Sequence, residues 1–296
     1  MSYAKVALAL VVLAVAPRPA LAESWRPFGS AAPWTQGSAD LEAGGDFRAS
    51  GLILRAGVSG PVGSGHQAGV TLNYDFTDYR FSSPAAFGGV APWDDVHRIG
   101  VSTPLVIRGS GGWGFVVTPS LDYFMEEGAR SSEAMSYGAV LAASKRFDAD
   151  RQLGFGFGVF DQLEDVKLFP FIVVDWKLGE RWRLANPLPA GPTGGGGLEL
   201  TYRFDSGWTL GGGAAYRSVR FRLSEDGAVP NGIGETRSVA TFLHAARDLG
   251  TNSRLGLYAG ALLAGELRVE NGSGQELARQ DFDPAPFVGA AFTARF

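Results

Sequence analysis

Apolar and polar positions alternate one for one along much of this chain. Between Gln67 and Phe76, the residues Ala68, Val70, Leu72, Tyr74 and Phe76 alternate with Gln67, Gly69, Thr71, Asn73 and Asp75. At 113–123, Trp113, Phe115, Val117, Leu121 and Tyr123 share one parity, with Gly114, Thr118, Ser120 and Asp122 on the other. At 152–159, Leu153, Phe155, Phe157 and Val159 alternate with Gln152, Gly154, Gly156 and Gly158. The period returns at 197–204 and 208–217. Successive side chains of a strand point to opposite faces, so each segment predicts a strand with one greasy face and one polar or glycine face. Beyond residue 22 no stretch carries a convincing 3.6-residue stripe, and none approaches the ~18 apolar residues of a membrane helix.

Alternation alone suits a soluble sandwich as well as a membrane barrel. Length separates them: the segments run to roughly 10–16 residues, against about 5–6 for a typical soluble strand, and a tilted membrane strand needs about 9–11. The connections also alternate. Short turns fall near 60–65, 109–112, 148–151, 179–181, 205–207 and 249–254. Longer polar links fall near 82–94, 127–133, 188–196, 224–234 and 271–283, with a short exception near 162–166. Short periplasmic turns and longer outer loops are the asymmetry of outer-membrane barrels. Trp113, Trp182 and Trp208 each follow a short turn directly and Trp176 precedes one, which puts four of the seven tryptophans at one level, as an interfacial girdle requires.

Residues 1–22 read as a cleaved signal peptide: Lys5, an apolar run from Val6 to Ala16, then Ala20-Leu21-Ala22 ahead of Glu23. Residues 23–36 are then a short periplasmic segment and 37–296 the barrel domain. Thirteen strand segments follow from the pattern after residue 46; a fourteenth comes from 37–45 through a turn at Gly44-Gly45-Asp46. The expected fold is all-β: a closed antiparallel up-and-down transmembrane barrel of fourteen strands. The count drops to twelve if 181–187 merges with a neighbour and 37–45 stays outside. The last strand, with Val288, Ala290, Phe292, Ala294 and Phe296 on one face, looks like the signal that barrel-assembly machinery reads. That machinery and outer-membrane lipid are therefore expected partners, and the cell outer membrane the expected location.

Composition narrows this further. There is no cysteine, so no disulfide framework and no thiolate metal site. Losing residues 1–22 removes Lys5 and Arg18 but no acid, so the formal charge moves from −4 to −6, against a nucleic-acid partner. The run Thr193-Gly-Gly-Gly-Gly197 lacks the Lys-Ser/Thr of a phosphate-binding loop. No cofactor is implied, and the segment before the first strand is too short to plug the bore.

The stretch Leu168-Phe-Pro-Phe-Ile-Val-Val-Asp-Trp-Lys-Leu-Gly-Glu-Arg-Trp-Arg-Leu-Ala-Asn-Pro187, followed by Gly197-Leu-Glu-Leu-Thr-Tyr-Arg-Phe-Asp205, resembles an uncharacterised family of bacterial porin-like outer-membrane β-barrels. The resemblance is sharpest over about 165–225. It implies the location and the fold, but no activity and no catalytic residue.

With apolar faces toward lipid, the opposite faces line a lumen. They carry Arg55, Asn73, Asp75, Asp122, Asp175, Lys177, Glu199, Arg203, Arg217, Glu266 and Arg268. Such mixed charges either define a weakly selective aqueous path or pair with one another and close it. Asp175, Lys177, Glu199 and Arg203 are candidates for a closing network, while Gly154, Gly156, Gly158, Gly211 and Gly213 leave room. The three histidines, His66, His97 and His244, have no neighbouring nucleophile or ligand spacing. The chain is thus expected not to be an enzyme, a barrel-embedded lipid hydrolase being the remote alternative. The first functional expectation is a porin-like channel for small polar solutes. The second is a non-conducting barrel that binds a lipid or envelope partner through its outer loops.

Overall fold

A computed structural model describes residues 25–187 and 196–296. The signal-peptide reading of 1–22 and most of the 188–196 link lie outside them. The strands are β1 (Arg26–Asp40), β2 (Asp46–Val62), β3 (His66–Ser82), β4 (Asp95–Ser102), β5 (Leu105–Arg108), β6 (Trp113–Glu126), β7 (Met135–Arg146) and β8 (Arg151–Gln162). They continue as β9 (Val166–Lys177), β10 (Trp182–Ala185), β11 (Gly196–Arg203), β12 (Trp208–Arg222), β13 (Ile233–Asp248), β14 (Ser253–Glu270), β15 (Glu276–Phe282) and β16 (Ala285–Arg295). β4 and β5 are one strand broken at Thr103-Pro104, and β15 and β16 one strand broken at Asp283-Pro284, where proline interrupts the ladder. The result is a closed antiparallel barrel of 14 strands. β1 seals it against β16, from Phe28 opposite Arg295 to Gln36 opposite Phe287. Every stave of the ring has a hydrogen-bonded neighbour on each side, which is what a hydrocarbon surround demands.

Two boundaries differ from the sequence reading. The barrel starts at Arg26 rather than 37, because the small residues from Gly29 to Ala32 pair along β2 although they show no alternation. The presumed long link at 271–283 is a five-residue turn followed by β15. The weak 181–187 segment is a stave of its own, since β10 pairs with both β9 and β11.

Outward positions form an apolar belt: Leu72, Ile99, Phe155, Ile172, Leu243 and Val288 are among the exposed large side chains. Trp113, Trp182 and Trp208 are exposed at the level of the short turns. At the other end, the loop end, the polarity inverts. Phe47, Tyr79, Phe221, Leu267 and Phe282 are buried inside, and Trp93, carried on the connection after β3, packs among them. Trp93 meets Phe221 edge-on at 5.2 Å, Phe81 at 5.5 Å and Tyr79 at 5.9 Å between ring centroids. This end behaves like a water-soluble core: apolar within, ionic without.

Two strands far apart in the ladder also meet there. Arg222 at the end of β12 forms a parallel bridge with Met125 of β6. Above the apolar belt β12 thus meets β6 directly, and the β8–β9 turn lies against β12, where the Leu163 carbonyl accepts from Arg220.

Candidate functional site: the lumen

The barrel interior is filled unevenly. Inward residues of β1, β2, β13, β14 and β16 are buried, including Ala32, Trp34, Ala49, Phe242, Tyr258 and Phe287. Inward residues of β7–β10, such as Gly138, Val140, Phe169, Phe171 and Ala185, keep partial exposure.

A polar ladder crosses four strands. Arg55 on β2 hydrogen-bonds both carboxylate oxygens of Asp75 on β3, one at 3.1 Å. Arg98 on β4 donates to Asp75 at 3.3 Å and through Nε to Asp122 on β6 at 2.8 Å. Beside it Asn73 donates to Ser102 at 3.4 Å. The strand register aligns these residues: Arg55 faces Asn73, Asp75 faces Arg98, and Gly100 faces Asp122. Gly100 is needed there, because a Cβ would lie 1.9 Å from the Asp122 carboxylate. The alternating signs compensate each charge's loss of water. Arg98, opposite in parity to His97, belongs to this ladder; the sequence reading missed it although its parity was legible.

A second cluster lies across the bore. Glu199 on β11 accepts a hydrogen bond from Nδ1 of His244 on β13 at 2.5 Å, and the imidazole stacks on Tyr258 at 4.6 Å. His244 Nε2 is buried without a hydrogen-bond partner among the described residues. A carboxylate and an imidazole thus meet, but no hydroxyl engages Nε2. His97 instead faces outward, bonded to Tyr74 at 3.1 Å, and His66 accepts from the Arg108 backbone at the turn end.

The remaining candidate residues spread over three places. Asp175 pairs with Arg183 at 2.7 Å near the turn end, Lys177 with Asp150 at 3.0 Å and Arg203 with Asp248 at 4.0 Å, the last two at the turn rim. The predicted network among Asp175, Lys177, Glu199 and Arg203 is therefore replaced by separate pairs. Arg217 reaches across the bore to stack on Trp34 of β1, 4.8 Å from the ring centroid.

Glu266 and Arg268 are corrected: they face outward, not into the lumen. β14 carries an extra residue opposite Ser238, with Ala264 at φ 49°, and this bulge exchanges the two faces beyond it. Leu267 and Val269 consequently point into the core. Outside, Glu266 joins Arg237, Arg268 and Arg279 at 3.1–3.6 Å.

The lumen glycines are largely occupied by aromatic rings. A Cβ on Gly156 would meet the Phe171 ring at 2.4 Å, and one on Gly158 the Phe160 ring at 2.7 Å. Gly156→Val is thus expected to push Phe171 into the bore and cost about 1–3 kcal/mol, the usual penalty of overpacking. Urea unfolding in detergent micelles would read the loss, and an unchanged midpoint would refute the ring-on-glycine packing.

Asp78, Asp94 and Asp95 gather on the outer rim, with ligand oxygens within 4.8 Å of one another. Burial first and Asp78 second push the Asp94 carboxyl up. Arg80 already pairs with Asp78 at 2.9 Å.

The chain matches no protein-family model and no curated protein. It is similar in fold to an outer-membrane channel from Pseudomonas putida F1, with a TM-score of 0.50 and 11% identity, over 95% of this chain and 100% of that one. Weaker likenesses include the P. putida toluene transporter TodX (TM-score 0.42, 11% identity, 93% of this chain and 91% of that one). Another is the KdgM porin solved with disordered oligogalacturonate (TM-score 0.35, 8% identity, 88% and 97%). At 11% identity the likeness to the P. putida F1 channel concerns the fold alone, and the fold implied by the family resemblance stands without the family itself.

Proposed function

We propose that the chain is an outer-membrane channel for small polar solutes, without catalytic activity, and that its outer mouth is closed in this conformation. The outward apolar belt and the tryptophans at one level support the membrane location. The observation that carries the channel reading is the uneven lumen: inward positions such as Val116, Thr118, Val140, Phe169 and Ala185 keep partial exposure, while those of β1, β13, β14 and β16 are mostly buried. On the wall formed by β2–β6 the charges are neutralised in place by the Arg55–Asp75–Arg98–Asp122 ladder, which offers polar groups without a strong field of one sign.

One observation favours the rival reading of a non-conducting barrel: the aromatic seal around Trp93. Osmotic swelling of liposomes containing the purified protein separates the two. The channel reading expects arabinose and glycine to enter faster than into empty liposomes, and raffinose to lag. Swelling no faster than the empty control for every solute would leave the non-conducting barrel.

A further inference from the structure

Arg217 differs from the other arginines of the lumen. Arg55, Arg98 and Arg183 each hold a carboxylate. Arg217 has neither an ion pair nor a side-chain acceptor among the described residues; its guanidinium carbon lies over the Trp34 indole, 4.8 Å from the ring centroid. Stacking uses the face of the guanidinium and leaves its N–H edge directed away from the ring, where a planar oxyanion can take two parallel hydrogen bonds. A second donor lies on the same face of β1, two residues beyond Trp34. Gln36 is 5% exposed, and its Nε2 has no acceptor. Both β1 side chains point inward, between β2 and β16, as the pairing of Trp34 with Gly51 and of Gln36 with Phe287 requires.

A buried amide donor without an acceptor is costly, and Arg217 leaves a cation without a charged partner on the same inner wall. A bound anion would relieve both. The nearest lumen carboxylates are committed elsewhere, Glu199 to His244 and Asp75 to two arginines. Trp34 adds a flat apolar surface next to the charge, which suits the carbon skeleton of an organic acid better than a bare inorganic ion.

We infer that Arg217, Gln36 and Trp34 form a mid-lumen subsite for the carboxylate group of a small organic acid. The inference rests on the channel reading, because the ligand must reach the middle of the barrel. Arg217 supplies the charge and two donors, Gln36 a further donor, and Trp34 the platform that fixes the guanidinium plane.

The test is a fluorescence titration of the folded full-length barrel in detergent micelles. Sodium acetate is compared with sodium chloride and sodium phosphate at constant ionic strength and pH. The Trp34 contribution is taken as the difference between wild type and Trp34→Phe. Acetate is expected to change that signal saturably, chloride not to, and Arg217→Gln to weaken the acetate response at least tenfold. Arg217→Lys should keep part of it, since charge remains and the planar fork is lost. Heat-modifiable migration in gels verifies that each variant is folded. An acetate response unchanged in Arg217→Gln overturns the subsite, as does a folded wild type that does not respond. Saturable phosphate binding in place of acetate overturns the carboxylate assignment. Liposome swelling keeps the two readings apart: acetate binding without solute entry refutes the channel alone, and solute entry without acetate binding refutes the subsite alone.

Discussion

Replacing Arg220 with alanine is expected to lower the barrel's stability by about 3–5 kcal/mol, the range seen when one member of a buried ion pair is removed. The side chain is 2% exposed and sits between Glu235, also 2% exposed, at 3.3 Å and Glu270, 6% exposed, which it contacts with both terminal nitrogens. It also donates to the Leu163 carbonyl at 2.9 Å, tying the β8–β9 turn to the outer face of β12. Its position on the outward parity of β12 would leave it in solvent, had β12 not bent toward β6 and brought the tops of β7–β9 over it. Removing the guanidinium takes one of two cations from Glu235 and, among the described residues, leaves the buried Glu270 with only Arg268, at 3.8 Å. Arg237 still reaches Glu235 at 2.6 Å, so Glu270 carries most of the loss. Arg220→Ala/Glu270→Ala should recover part of the stability of Arg220→Ala, because the stranded charge is gone. Chemical unfolding of both variants in micelles gives the comparison, and a double variant no more stable than the single one would argue against a stranded Glu270.

Trp93→Ala should produce the second large effect. Trp93 is 2% exposed and touches aromatic rings from β3 and β12. Truncating a core aromatic costs about 3–5 kcal/mol when the surroundings cannot collapse. Collapse is limited here, since Tyr79, Phe81 and Phe221 hang from strands fixed by barrel closure. Glu126 holds the connection from its far end, accepting from the backbone N–H of Asp94 at 2.9 Å and of Ser224 at 2.8 Å. The loop should therefore stay attached while the seal at its tip opens, so lower stability should come with a more permeable barrel. Trp93→Phe, which keeps a ring, should lose less of both.

The staves that cross the apolar belt were legible because lipid imposes one rule on all of them: every second residue must be apolar. Segments such as 67–76 and 152–159 obey it, and the tryptophans beside the short turns mark one boundary. The rule fails where lipid ends. Glu266 and Arg268 were assigned to the lumen by continuing the membrane parity past Ala264, where a single extra residue reverses it. β15 reads as a polar link for the same reason, since its outward face carries the ionic network above the belt. β1 was missed over its first half because Gly29 to Ala32 are too small to display a pattern and Pro33 looks like a breaker.

The lumen was legible as a list of residues and not as an arrangement. Asp75 and Asp122 pair through Arg98, and Glu199 meets His244 across 45 residues of chain, because the registers set Glu199 beside Gly213 and His244 beside Gly211, adjacent inward positions of β12. Registers are set by whole-strand pairing, and a one-residue shift would have exchanged the faces. The aromatic cluster at the loop end is built around Trp93, which belongs to a connection with no periodicity to read. Arg217 and Trp34 meet across the bore from segments at opposite ends of the chain, a contact that only the closed barrel creates.

The most direct test of the channel claim is the current carried by the purified protein in planar lipid bilayers, recorded for wild type and Trp93→Ala. The account predicts discrete conductance steps, rare in wild type and more frequent or longer-lived once the aromatic seal is removed. Folded protein that inserts yet carries no current in either form, at any salt or voltage tried, would contradict it.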